Sequence, residues 1–173
     1  MRTRSVLAIL IVGVILSAAI ACGPPLEPVK TPPGTAAPLP AVSETFTVGD
    51  EVVIGDFRIT VTGTRTSAGA GLFSPAPGHV WFVVECVLEN MHATNSQIVS
   101  SLMMFGLVDK DGRSMSHALT GDIRGQLDGE LGVGRRMTGE IAWEVPVGSR
   151  GLELLFKPDL LRAGQAIFRL GDL

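Results

Sequence analysis

From Thr45 onward, apolar and polar residues alternate with a period of two, as they do in strands that bury one face. Phe57, Ile59 and Val61 alternate with Arg58, Thr60 and Thr62. Val80, Phe82, Val84, Cys86 and Leu88 alternate with a face that carries Glu85 and Glu89. Met137, Gly139, Ile141, Trp143 and Val145 alternate with Thr138, Glu140, Ala142 and Glu144. Shorter runs at 46–48, 52–54, 103–108, 152–156 and 166–170 predict further strands. Gly49-Asp50, Gly55-Asp56, Asp111-Gly112, Pro146 to Ser149 and Ala163-Gly164 punctuate them as turns.

No long amphipathic helix separates these runs, which argues against parallel βαβ units. About seven to nine short strands predict an all-β fold, an immunoglobulin-like antiparallel β-sandwich over residues 44–173. Trp81 and Trp143 are the leading candidates for large core anchors, with a rim position as the alternative for Trp81, which shares the glutamate face. Between Leu119 and Gly134 apolar residues recur every fourth position, but Gly121, Gly125 and Gly129 each cost about 1 kcal/mol relative to Ala in a helix. This stretch is expected to be a long connection with one helical turn at most.

The first 44 residues follow another logic. Arg2 and Arg4 precede an apolar stretch that runs through Ala19-Ile20-Ala21 to Cys22. A basic end, an apolar core and small residues before a break describe a secretory signal over residues 1–21. The ending resembles the bacterial lipobox, with Ala19 where Leu is usual, and that resemblance implies lipidation of Cys22. Two alternatives stand beside it: cleavage near Ala21 to release a secreted protein, or an uncut anchor of about the 17–25 residues that span a bilayer. Seven of the eleven prolines fall within 23–40. Residues 22–43 therefore read as a lipid-anchored, Pro-rich linker, whose eighteen residues 23–40 could reach roughly 55 Å if extended.

Charge and cysteine usage narrow the picture. Loss of residues 1–21 removes two of the 14 basic residues, leaving 12 against 17 acidic ones, net −5. Such a surface is no nucleic-acid binder, and attachment to an anionic membrane would fall to the lipid. With Cys22 lipidated, Cys86 has no disulfide partner. Its strand context and the adjacent Glu85 make it a buried small hydrophobe rather than a reactive thiol.

A resemblance rests on particular residues. Phe46-Thr47-Val48-Gly49-Asp50, then Asn90, then Phe105-Gly106-Leu107-Val108-Asp109 with Gly112, then Gly139 to Pro146, then Leu154-Leu155-Phe156 occur in that order. Together they resemble the telokin-like, or immunoprotective-extracellular-protein-like, domain family of bacterial secreted lipoproteins, over roughly residues 44–158. Membership would imply an immunoglobulin-like sandwich outside a membrane, with no established activity. Where that family carries Pro-Gly-Glu before the Gly139 strand, this chain has Val133-Gly134-Arg135.

Catalytic signatures are scarce, and no catalytic residue is assigned. There is no Gly-x-Ser-x-Gly elbow. The glycine-rich stretch 67–74 lacks the Lys of a phosphate loop. His79, His92 and His117 sit in separate segments without a second ligand at metal spacing, so no metal or other cofactor is expected. Asp109-Lys110-Asp111-Gly112 begins like a calcium loop but places Arg113 at position five and Thr120 at position twelve, which favours a hairpin turn. Asp122, Asp128 and Glu130 form a second acidic group with at most weak cation affinity.

The leading expectation is thus a non-catalytic binding module, lipid-anchored and extracytoplasmic. The longest non-strand segments, 66–77 (Thr66 to Pro77) and 120–134 (Thr120 to Gly134), are its candidate contact loops for a protein partner. The alternatives are a cell-envelope enzyme or accessory subunit, and a structural spacer.

Overall fold

The computed structural model describes residues 45–69, 73–119, 122–161 and 164–173. The segment 1–21 expected to be a signal, the expected lipidation site Cys22 and the expected linker to residue 43 lie outside the described residues, as do 70–72 and 120–121 within the two candidate loops.

In chain order the elements are β1 (Thr45–Thr47), β2 (Glu51–Ile54), β3 (Phe57–Ser67), β4 (His79–Asn90), β5 (Gln97–Val99), α1 (Ser101–Met104), β6 (Phe105–Val108), β7 (Ser116–His117), β8 (Gly129–Leu131), β9 (Arg136–Pro146), β10 (Leu152–Phe156) and β11 (Ala166–Gly171). One sheet runs β1-β11-β10-β6, the other β2-β3-β4-β9-β7, and β5 pairs with β8. Their inner faces meet in a single apolar cluster, so the expected sandwich forms. Phe57 from one sheet meets Phe156 from the other edge to face at 6.0 Å between ring centres, and Trp143 lies fully buried at their interface.

The antiparallel expectation holds with one exception. β1 pairs in parallel with β11, Thr45 opposite Ile167. Most of the chain separates these two strands, so no hairpin dictates their relative direction.

Three local readings change or narrow. Met103 and Met104 were expected in a strand, yet Ser101–Met104 forms a helical turn. The Asp128 carboxylate accepts from the Ser101 amide and hydroxyl, both at 2.8 Å, and fixes the start of that turn. The 119–134 stretch, in contrast, has no helical turn among its described residues. Gly125 takes φ +71°, outside the helical region, and a Cβ there would stand 2.8 Å from the Thr138 carbonyl oxygen. Its leucines divide instead: Leu127 and Leu131 enter the core while Leu119 stays outside. Finally, Trp81 is no rim residue, being only 5% exposed.

The third change has a structural cause. The first half of β4 buries both faces, Phe82 and Val84 inward and Trp81 and Val83 outward, because the loops cover the outer face there. Gly69 lies so close to the Trp81 ring that a Cβ would sit 3.0 Å from it. Cys86 is buried as expected, and burial pushes its thiol up to about 12. The Asp109 turn also forms, with the Asp109 carboxylate accepting from the Asp111 and Arg113 amides at 2.9 Å each.

Candidate functional site

The two loops singled out by length come together on the outer face of the five-stranded sheet. Arg65 on β3 stands beside Val83 and Ala142, and Ser67 stands beside Trp81 and Glu144. From that row the Arg65 guanidinium reaches Glu140 on β9, with Nε at 3.1 Å and Nη2 at 2.8 Å from the two carboxylate oxygens. The same guanidinium bonds the backbone and carboxylate of Asp122, and the Ser67 hydroxyl donates to that carboxylate. The Arg124 amide donates to Glu140 at 2.8 Å. Four polar side chains thereby fasten the second loop to the strand that leads into the first.

Electrostatics follow from these contacts. Glu140 is 5% exposed, yet its carboxyl is held below the usual range. The Arg65 hydrogen bonds outweigh the cost of burial. Asp122 is lowered by Ser67 first and Arg65 next, while Arg65 itself is raised, chiefly by Glu140.

Further along, the second loop turns across the flank of β9. A Cβ on Gly139 would meet the Gln126 backbone at 2.8 Å, so a residue without a side chain is required for this approach. Leu127 then plunges into the core and Asp128 ties down α1. Between these anchors lies a cleft of about 460 Å³, walled by Phe73, Leu102, Leu119 and Ile123 over a floor at Ala142. Phe73 is 60% and Leu119 93% exposed. Exposed apolar side chains grouped around a concavity are the usual mark of a recognition surface.

His117 lines the same cleft and stacks on Trp143, its partner across β7 and β9, at 5.1 Å. Burial lowers its pKa, opposed by the Ser101 backbone and by Asp128, which favours the neutral ring. Its Nε2 and the Trp143 Nε1 are buried with no hydrogen-bond partner among the described residues. The other histidines lie elsewhere: His79 opens β4 and His92 follows its end, roughly 40 Å apart along a 12-residue strand. His92 Nδ1 accepts from the Thr94 and Asn95 amides and serves a turn. Among the described residues no three His, Cys, Asp or Glu side chains group to hold a metal ion.

A wider groove of about 710 Å³ runs past His79, Asp109, Lys110, Arg113, Glu144 and Arg150. Its charges are largely engaged with one another, Lys110 with Asp111 and Arg113 with Asp109 and Asp111. The apolar cleft is therefore the better candidate.

Sequence reasoning pointed to the loops and missed the residues that hold them. Arg65 and Glu140 are single charges on strands, 75 positions apart. The only trace in the sequence is an acidic residue inside an otherwise deeply apolar strand, Gly139-Glu140-Ile141-Ala142-Trp143. Leu102 carries no signal of its own.

Residues 46–167 match the model of a domain of unknown function, DUF4352. No curated protein is similar enough in sequence to match the chain. Solved structures share the fold at low identity. The yjhA protein of Bacillus subtilis matches at 18% identity and TM-score 0.59, over 72% of this chain and 98% of that one. A B. subtilis protein, ycdA, described as a putative lipoprotein, matches at 14% identity and TM-score 0.59, over 70% of this chain. The match spans 38% of ycdA, well under half its length. An uncharacterized β-sandwich protein from Clostridium difficile matches at 12% identity and TM-score 0.52, over 78% of this chain and 99% of that one.

Proposed function

The chain belongs to the DUF4352 family, and from that premise we propose that it is a lipid-anchored bacterial lipoprotein whose sandwich is a non-catalytic binding module outside the membrane. The lipobox-like Ala19-Ile20-Ala21-Cys22 and the proline-rich segment behind it support the anchor, and the fold shared with ycdA is consistent with it. The resemblance to telokin-like domains belongs to this proposal, supported by a two-sheet sandwich in which Asn90 and Gly139 have structural work.

One observation carries the binding role. Phe73 and Leu119, one at each of the two longest connections, stand exposed on the walls of a single cleft. Burying each in a partner would gain about 1.5–3 kcal/mol, a gain the isolated domain forgoes. The arrangement fits a protein partner that presents an apolar side chain.

The test is photo-crosslinking from positions 73 and 119 in the full-length protein, held in the membranes of its own cells. A discrete adduct from both positions, and none from Val147 at another turn, is the expected result. Absence of any discrete adduct would overturn the binding role. Fractionation of Cys22→Ser tests the anchor separately: release from the membrane supports lipidation, and retention refutes it.

A further inference from the structure

The first described strand begins at one particular end of the four-stranded sheet. Thr45 lies beside Ile167, Ala166 beside Phe156, and Phe156 beside Phe105. The Lys157 amide donates to the Met104 carbonyl at 2.8 Å. The start of β1, the 157–165 connection and α1 therefore share one end of the four-stranded sheet. Cys22 is separated from that end by the 22 residues 23–44.

This end exposes apolar side chains that the core does not use. Leu161 is 97% exposed, and Leu160 and Met103 are more than half exposed. The turn that presents the leucines is braced: the Leu161 amide donates to the Asp159 carboxylate at 2.8 Å, and Pro158 lies against Gly55. In sequence the pair follows Lys157-Pro158-Asp159. Exposed leucines on a braced turn suit the boundary between headgroups and acyl chains, where an apolar tip inserts.

We propose that Leu160, Leu161 and Met103 dip into the bilayer that carries the lipid of Cys22 and seat the sandwich with this end toward the membrane. The inference rests on the lipid-anchor reading above. Two leucines and a methionine would bind a bilayer only weakly from solution. A lipid tether of 22 residues changes this, because it keeps the tip within reach of the bilayer and raises its local concentration there. The acidic balance of the chain removes general electrostatic attraction as the cause and leaves the apolar tip to do it.

The experiment uses the lipidated full-length protein reconstituted in phosphatidylethanolamine/phosphatidylglycerol vesicles containing a nitroxide-labelled lipid. An environment-sensitive fluorophore is placed at Leu161→Cys, Met103→Cys or, as the distal control, Val147→Cys. Cys86 is buried and does not compete for label. Quenching at 161 and 103 is expected to exceed that at 147 by about twofold or more. Leu160→Ser/Leu161→Ser, at exposed positions that leave the core intact, should abolish the excess at 103. Equal quenching at all three positions, or an excess at 103 that survives the double substitution, would overturn the inference while leaving the anchor standing. Failure of the protein to float with the vesicles would overturn both.

Discussion

The Arg65 guanidinium crosses β4 to reach the buried carboxylate of Glu140, Nη2 lying 2.8 Å from Oε2. Through Asp122 and the Arg124 amide this ion pair also fastens the 122–128 segment over the sheet. An ion pair so placed has consequences for stability, for pH response and for the shape of the cleft.

Arg65→Met would leave Glu140 buried without its cation. The expected cost is about 2–4 kcal/mol, toward the lower side of the usual loss on breaking a buried pair because Arg65 is partly exposed. Adding Glu140→Gln should recover part of it. Urea denaturation of the single and double variants measures both, and an unchanged midpoint for Arg65→Met would show the pair to be idle.

The pH dependence follows from the same contacts. Glu140 and Asp122 have pKa values in the fold below their ordinary 4.5 and 3.8. The stability they contribute is therefore complete above those ordinary values and drains away as the pH falls through the depressed ones. Melting temperature should decline as the pH drops below about 4.5 in the wild type. The Arg65→Met/Glu140→Gln variant should show a shallower slope over the same range.

Asn90 makes a second testable staple. Its amide donates to the carbonyls of Asn95 and Leu131, and its oxygen accepts from the His92 amide, all at 2.9 Å. One buried side chain thus holds the end of β4, the following turn and β8. Asn90→Ala should cost about 2–4 kcal/mol, since it strands buried backbone groups. Asn90→Asp should be comparably harmful, because a carboxylate would face two carbonyls. Chemical denaturation of both variants decides, and a tolerated Asp would contradict the donor assignment.

Gly139→Ala probes the seat of the second loop. Its Cβ would fall 2.8 Å from the Gln126 carbonyl carbon, so the 122–128 backbone must move. A loss of about 1–3 kcal/mol is expected, the cost of overpacking. Crosslinking from position 119 should fall with it, while far-ultraviolet circular dichroism stays that of a β-protein. Full retention of crosslinking would detach the cleft from this loop.

The pattern along the chain was enough to place the long strands. β3 keeps Phe57, Ile59 and Val61 inward as their spacing requires, and β9 keeps Ile141, Trp143 and Val145 inward. Such strands are legible because one face meets the core and the other meets water. The short strands β5, β7 and β8 were not predicted; two or three residues display no period, and unlike β1 they lie inside connections without an apolar run bounded by turn residues. Trp81 was left between core and rim for a related reason: alternation assumes that water covers the outer face, and here two loops do.

By itself, the sequence determined a β-sandwich built around Phe57, Ile59, Leu88, Trp143 and their neighbours, and it gave the expectation of a basic-apolar leader over residues 1–21. Both are local patterns, readable wherever they occur. It also marked 66–77 and 120–134 as long connections, without saying where they go. Only the tertiary structure decided that they converge on one face, that Arg65 meets Glu140 across an intervening strand, and that β1 runs parallel to β11. Those outcomes depend on contacts between residues as far as 122 positions apart, as Thr45 and Ile167 are. Chain-wide packing creates such contacts, and the spacing of residues within a segment carries no record of them.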